Sequence, residues 1–127
     1  MLQVEVVSPE LVLYTGEAEM VICRTLAGGD IAFLTGHAPF LGALDIWSVR
    51  IKLPDGREEK AAVHGGFVEV SHDKVTILSD AAELASQIDV ERARRALEAV
   101  QRREQDMDDV EAEAALRRAH VRLDLAG

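Results

Sequence analysis

Apolar residues alternate with polar ones along the first two thirds of the chain, then recur every three to four positions toward its end. In the first regime Leu2, Val4 and Val6 share one side of an extended segment, with Gln3 and Glu5 on the other. Ala18, Met20 and Ile22 stand against Glu17 and Glu19, and Val49, Ile51 and Leu53 against Arg50 and Lys52. A period of two puts one face of a strand in a core and the other in water. Pro54, Asp55 and Gly56 form a tight turn before a return strand carrying Ala61 and Val63. Ser71 to Asp73 separates a strand at Phe67 to Val70 from one at Lys74 to Leu78. Short antiparallel strands at this spacing predict a sandwich or barrel, and about 84 residues are enough to close its core.

From Asp89 onward the period is helical. Val90, Ala93, Leu97 and Val100 form one stripe, with Arg92, Arg95, Arg102 and Arg103 outside it. Asp106 to Asp109 interrupts the pattern, and Asp108 with Glu111 resembles a capping pair that opens a second helix. That helix has two apolar sides: Ala112, Ala115, Leu116, Ala119 and Leu123 on one, Val110, Ala114, Val121 and Leu125 on the other. One side can meet the first helix, and the other needs a second partner. The fold class is therefore β plus α: an N-terminal antiparallel β-sandwich over residues 1–85 and a C-terminal antiparallel two-helix hairpin over residues 86–127. A hairpin this small offsets its conformational entropy poorly, so it is expected to dock and to be able to undock.

Composition sharpens this picture. With 127 residues, 48% of them apolar and 29% charged, the chain has room for one small domain and an appendage, which excludes a multidomain enzyme. Its longest uncharged apolar stretch, Ile31 to Leu44, is interrupted by Gly36, His37 and Pro39 and falls short of the roughly 18 residues of a membrane span. Met1 to Ser8 lacks the features of a leader peptide, so the chain is expected to stay where it is made. Cys23, the single cysteine, fits a reducing cytoplasm. A net charge of −9 repels nucleic acid and anionic lipid, so neither nucleic-acid binding nor direct membrane insertion is expected. Membrane association would then run through a protein partner.

Catalytic signatures are missing: there is no GxxxxGK[ST] loop, GxSxG elbow, HExxH helix or paired CxxC. His64 and His72 lack a convergent third ligand, and Asp106, Asp108 and Asp109 lack the glycine of a calcium loop. No metal and no resident cofactor are expected. Two features stand out instead. Gly28, Gly29 and Asp30, then Ile31 to Leu34, then Gly36, His37, Ala38 and Pro39 read as a strand between two tight loops presenting a carboxylate and an imidazole at one rim. At the junction of the two halves, Ile88, Asp89, Arg92, Ala93 and Ala96 read as a helix start, with Asp89 as its cap and Arg92 solvated one turn on.

The segments Gly29 to Leu41 (GDIAFLTGHAPFL), His64 to Val70 (HGGFVEV) and Val75 to Glu83 (VTILSDAAE), with Ile88-Asp89, Arg92-Ala93 and Ala96, closely resemble four co-linear motifs of the epsilon subunit of bacterial F-type ATP synthases. The resemblance covers the whole chain. It implies a sandwich of about ten strands with a helical hairpin, in a non-catalytic rotor subunit of the central stalk of the proton-translocating complex. The sandwich would link the gamma subunit to the ring of membrane c subunits on the cytoplasmic face of the bacterial membrane. The hairpin would regulate ATP hydrolysis and can reach the alpha and beta subunits. Carried over by position, Asp30, Gly36, His37, Ala38 and Pro39 face the ring. Some members bind regulatory ATP at the junction motif, which would assign Ile88, Asp89, Arg92 and Ala93. Trp47 stands where many members have glycine, and the sequence stops at Gly127 where some continue, which speaks against strong inhibition. The competing readings are a freestanding ligand-binding β-sandwich adaptor with a helical lid, and a metal-dependent enzyme using His64 and His72.

Overall fold

The computed structural model describes residues 1–104 and 110–126. Eight strands precede two helices: β1 (Leu2–Val7), β2 (Val12–Ala18), β3 (Met20–Thr25), β4 (Gly29–Leu34), β5 (Phe40–Lys52), β6 (Glu58–Ser71), β7 (Lys74–Leu78) and β8 (Ala82–Leu84), then a 3-10 turn (Ala85–Gln87), α1 (Val90–Glu104) and α2 (Val110–Ala126). Hydrogen bonding runs β2-β1-β7-β6-β5-β3-β4, with β8 added to β6. The expectation of about ten strands meets eight because two of them are long. β5 and β6 pair from Phe40↔Val70 to Lys52↔Glu58, and β6 changes its other neighbour part-way along. Its first half carries β8 (Ala61↔Leu84 to Val63↔Ala82) and its second half carries β7 (Phe67↔Leu78 to Ser71↔Lys74). Between these halves lie Gly65 and Gly66, with φ of +88° and +122°, a conformation that L side chains resist. Each long strand thus bends at a corner and serves both layers.

The core lies between the layers and is built by alternation. Leu2, Val4 and Val6 of β1, Val49 and Ile51 of β5, Val68 and Val70 of β6, and Val75 and Ile77 of β7 are all buried with Phe33. Fully burying a Leu or Ile of this group stabilises the fold by about 1.5–3 kcal/mol. Two expectations need correction. Met20 and Ile22 are not the buried side of β3; Val21, Cys23 and Thr25 are. The chain bends at Glu19, whose N–H donates to the Lys52 carbonyl (2.8 Å), and the bend resets the alternation after the buried Ala18. Nor is every pair antiparallel, because β1 and β7 run parallel, Val4 beside Val75 and Val6 beside Ile77. No hairpin joins these two strands, which lie far apart in the chain. The tight β6–β7 turn is made by His72 (φ +51°) and Asp73 (φ +59°), the mirror-image geometry that a two-residue hairpin loop requires.

The two-sided second helix packs against α1 and also against β5 and β6. Ala93 and Val100 of α1 and Ala119 and Val121 of α2 are buried, whereas Val90, expected in the apolar stripe, is exposed in the first turn. Ion pairs that tie α2 to the sandwich include Arg117 Nη2 to Asp45 Oδ1 (2.6 Å) and Arg122 Nε to Glu83 Oε1 (2.5 Å). The capping pair read from Asp108 and Glu111 falls outside the described residues. His64 sits where the half of β6 paired with β8 ends, and His72 lies in the turn beyond the half paired with β7, so the corner of β6 separates the two imidazoles.

Candidate functional site at the hairpin junction

Where β8, the 3-10 turn and both helices meet, a cleft of about 310 Å³ is lined by Glu83, Gln87, Asp89, Arg92, Ala93, Ala96 and Arg122. Asp89 caps α1: its Oδ1 accepts the Arg92 N–H (3.1 Å), and its carbonyl accepts the Ala93 N–H (3.0 Å). The cap fixes where α1 begins and aims the first-turn side chains. One turn of helix brings Arg92 and Ala96 to the same side of α1, because positions four apart stack on one face. Ala93 and Ala96 keep the wall low. Among the described residues the Arg92 guanidinium has no ion-pair partner, and it faces the cleft as an exposed cation. Opposite it stands Arg122 of α2, engaged by Glu83.

Of the junction residues read from sequence, Asp89, Arg92 and Ala93 line this cleft, and Ile88 does not; its N–H bonds back to the Ala85 carbonyl (3.4 Å) as the 3-10 turn ends. Arg95 also stays outside. Sequence reasoning missed Glu83 and Gln87 and left the helix-two arginine unassigned. Gln87 Oε1 accepts the Leu84 N–H (3.3 Å) and so holds the turn that leads into α1. Glu83 and Arg122 are 39 residues apart, and only docking of the hairpin brings them together.

Beneath Glu83 lies His64. Its side chain is 1% exposed, its Nε2 is 3.4 Å from Glu83 Oε1, and its Nδ1 is buried without a partner. Burial, with the charges of Arg122 and Arg118, lowers its pKa to about 4 against the opposing pull of Glu83. The imidazole is therefore neutral at ordinary pH.

The rim residues are not brought together. Asp30 is the second residue of β4, while Gly36, His37, Ala38 and Pro39 follow its far end, about 20 Å of strand away, so they do not share one rim as expected. Asp30 accepts from Arg24 Nε (3.0 Å), and the Arg24 guanidinium lies 3.7 Å from the centre of the Trp47 ring. Trp47 thereby gains a role: its face steadies the arginine that holds Asp30, a contact worth about 0.5–1 kcal/mol when exposed. His37 is half-buried, its ring edge-on to Phe33 (centroids 4.9 Å) and its Nδ1 2.6 Å from the Ala38 carbonyl oxygen. The Gly36 N–H donates to Asp73 Oδ1 (2.6 Å), which ties this loop to the β6–β7 turn.

Residues 1–85 match the family described as ATP synthase, Delta/Epsilon chain, beta-sandwich domain. The ATP synthase epsilon chain of Streptomyces griseus subsp. griseus is 46% identical over 122 residues, covering 96% of this chain and 92% of its own. That of Bacillus velezensis is 46% identical over 129 residues, with 98% and 96% covered. The chain belongs to the ATP synthase epsilon chains. It is thus a non-catalytic subunit of a membrane-associated complex, in keeping with the helices here, none of which is long and apolar enough to cross a membrane among the described residues. The fold recurs in a chain of the Euglena gracilis mitochondrial ATP synthase OSCP/F1/c-ring structure, at TM-score 0.83, 22% identity, and 98% and 80% coverage. It recurs again in the central stalk/c-ring structure of the Tetrahymena thermophila enzyme, at TM-score 0.59, 12% identity, and 98% and 92% coverage.

Proposed function

We propose that this epsilon chain is a rotor subunit whose sandwich joins the gamma subunit to the c-ring on the cytoplasmic face of the bacterial membrane, while its hairpin regulates ATP hydrolysis. The observation that carries this reading is the docking of α2. Among the described residues the helix is held to the sandwich by ion pairs from Arg117 and Arg122 and by one apolar side, and it contributes nothing to the sandwich core, so it can leave without unfolding the domain. ATP at the junction cleft would favour the docked state. A ligand shifts such an equilibrium only by contacts that one arrangement makes and the other lacks. The cleft supplies such contacts, because Arg92 belongs to α1 and Arg122 to α2. Arg92 is available to a phosphate at once. Arg122 would be shared with or released by Glu83, whose carboxylate can then accept a donor from the ribose or adenine. At about 310 Å³ the cleft lies at the small end of the roughly 300–1,000 Å³ typical of ligand sites. The test is to recover the chain from native membranes and to measure ATPase activity before and after stripping and re-adding it. Co-purification with the complex, and a change in hydrolysis on stripping that re-addition reverses, are expected. A monomer with no partner in the membrane fraction would instead favour the freestanding adaptor.

A further inference from the structure

We propose that His64 is a proton switch for the hairpin: α2 docks on the sandwich only while this imidazole is neutral, and proton uptake releases it. The proposal rests on the hairpin moving as proposed above, and it arises from the arrangement at the centre of β6. Glu83 Oε1 is one acceptor claimed by two donors, Arg122 Nε at 2.5 Å and His64 Nε2 at 3.4 Å. In the docked state the arginine holds it. Among the described residues the charged groups facing the ring are Glu83 from β8 and Arg122 and Arg118 from α2; across the sheet on β5 stands Ile46, and the 3-10 turn contributes no charge. Asp80, in the loop before β8, shares a separate cleft with His64.

A proton added to this ring in the docked state meets three penalties. The charge sits in a site that is 1% exposed, beside two guanidinium groups, and the new Nδ1–H faces no acceptor. A buried donor left without a partner loses its hydration and gains nothing in return. When α2 leaves, all three are relieved together. Water reaches the ring, the two arginines depart, and Glu83, freed of Arg122, becomes the counter-ion of the imidazolium. The exchange is therefore Arg122 for His64-H⁺ on a single carboxylate.

The direction follows from linkage. The docked state holds the imidazole near pKa 4 and the undocked state returns it to about 6.5 or higher. Docking is strongest above the undocked value and weakens as pH falls toward the docked one. The docking constant should fall about tenfold between pH 8 and pH 5.5. Trp47 is placed to report this, since it lines a cleft of about 200 Å³ together with Val121, Asp124 and Leu125 of α2.

The experiment follows the isolated full chain from pH 8 to 4, with the His64 imidazole observed by NMR and α2 by Trp47 emission. Proton uptake and the Trp47 change are expected to share one midpoint. In Arg117→Ala, which loosens docking at Asp45, both should move to higher pH together. In His64→Gln, which keeps a donor for Glu83 but cannot titrate, the Trp47 change should shift toward the carboxylate range. Titration of His64 with Trp47 unchanged would overturn the switch, and so would an unaltered Trp47 midpoint in His64→Gln. ATP hydrolysis by the complex at pH 8 and 6 separates the two proposals. Coincident curves in the isolated chain with no pH-dependent response in the complex would leave the switch standing and sink the regulatory reading.

Discussion

Gly66 sits where β6 changes partners, and a Cβ built on it would lie 2.0 Å from the Leu78 carbonyl oxygen. Both the left-handed φ and the backbone contact oppose any side chain, and neither neighbour is a flexible tip that could swing away. Gly66→Ala should therefore cost about 3 kcal/mol or more, read as a lowered urea midpoint with an unchanged slope. Cys23 makes the opposite kind of prediction. Burial, then the charge of Asp30, raises its thiol pKa to about 12, so at pH 8 roughly one molecule in ten thousand holds a thiolate. It should resist iodoacetamide while folded and react on unfolding; rapid native labelling would contradict the packing. At the cleft, Arg92→Ala removes a cation that caps nothing and pairs with nothing described, so the fold should persist. ATP binding by calorimetry should weaken about tenfold or more, the scale of one charge-assisted hydrogen bond. No heat with the wild-type chain at millimolar ATP would leave the junction as architecture. These residues were unevenly legible in the sequence. Asp89 and Arg92 were readable because capping is local, and the cap appears as read. Glu83 and Arg122 were not, because nothing in a sequence marks a pair that only docking creates.

At the scale of elements, the buried cluster that makes the core draws on every strand from β1 to β7, with residues such as Leu2, Ala18, Phe33, Ile51 and Ile77, and among the described residues takes nothing from α1 or α2. Deleting residues 86–127 should consequently leave a sandwich that unfolds in one cooperative transition and still binds its rotor partners, while hydrolysis by the complex rises or holds level. A fall in hydrolysis, or a sandwich without a sharp transition, would contradict the division of labour between the two parts. Periodicity identified both parts and failed at particular joints. The alternation in β3 slipped by one because the bend at Glu19 is stabilised by the distant Lys52 carbonyl, a contact no local pattern encodes. The parallel pairing of β1 with β7 was hidden for the same reason. In α2 the two apolar sides were visible and correctly implied two partners, α1 and the sheet.

In the whole molecule, the two loops carried over as ring-facing lie at opposite ends of β4, so they should not behave as one site. Asp30 is exposed, and its bridge to Arg24 is of the kind worth about 0–1 kcal/mol; Asp30→Ala should leave the melting temperature within a degree or two of wild type. His37 packs against Phe33 and Phe40, centroids 4.9 and 6.4 Å away, and holds its own loop through the Ala38 carbonyl. His37→Ala should therefore lower stability by about 1 kcal/mol or more, whatever it does to assembly. The two variants made separately, each measured for melting and for recovery of the chain with the rotor, distinguish a contact from a scaffold. If Asp30 meets the ring directly, its variant loses assembly with melting intact. Assembly retained by Asp30→Ala and lost in His37→Ala, in step with its stability, would move the ring contact to the end of the sandwich where Asp73 ties the Gly36 loop to the β6–β7 turn.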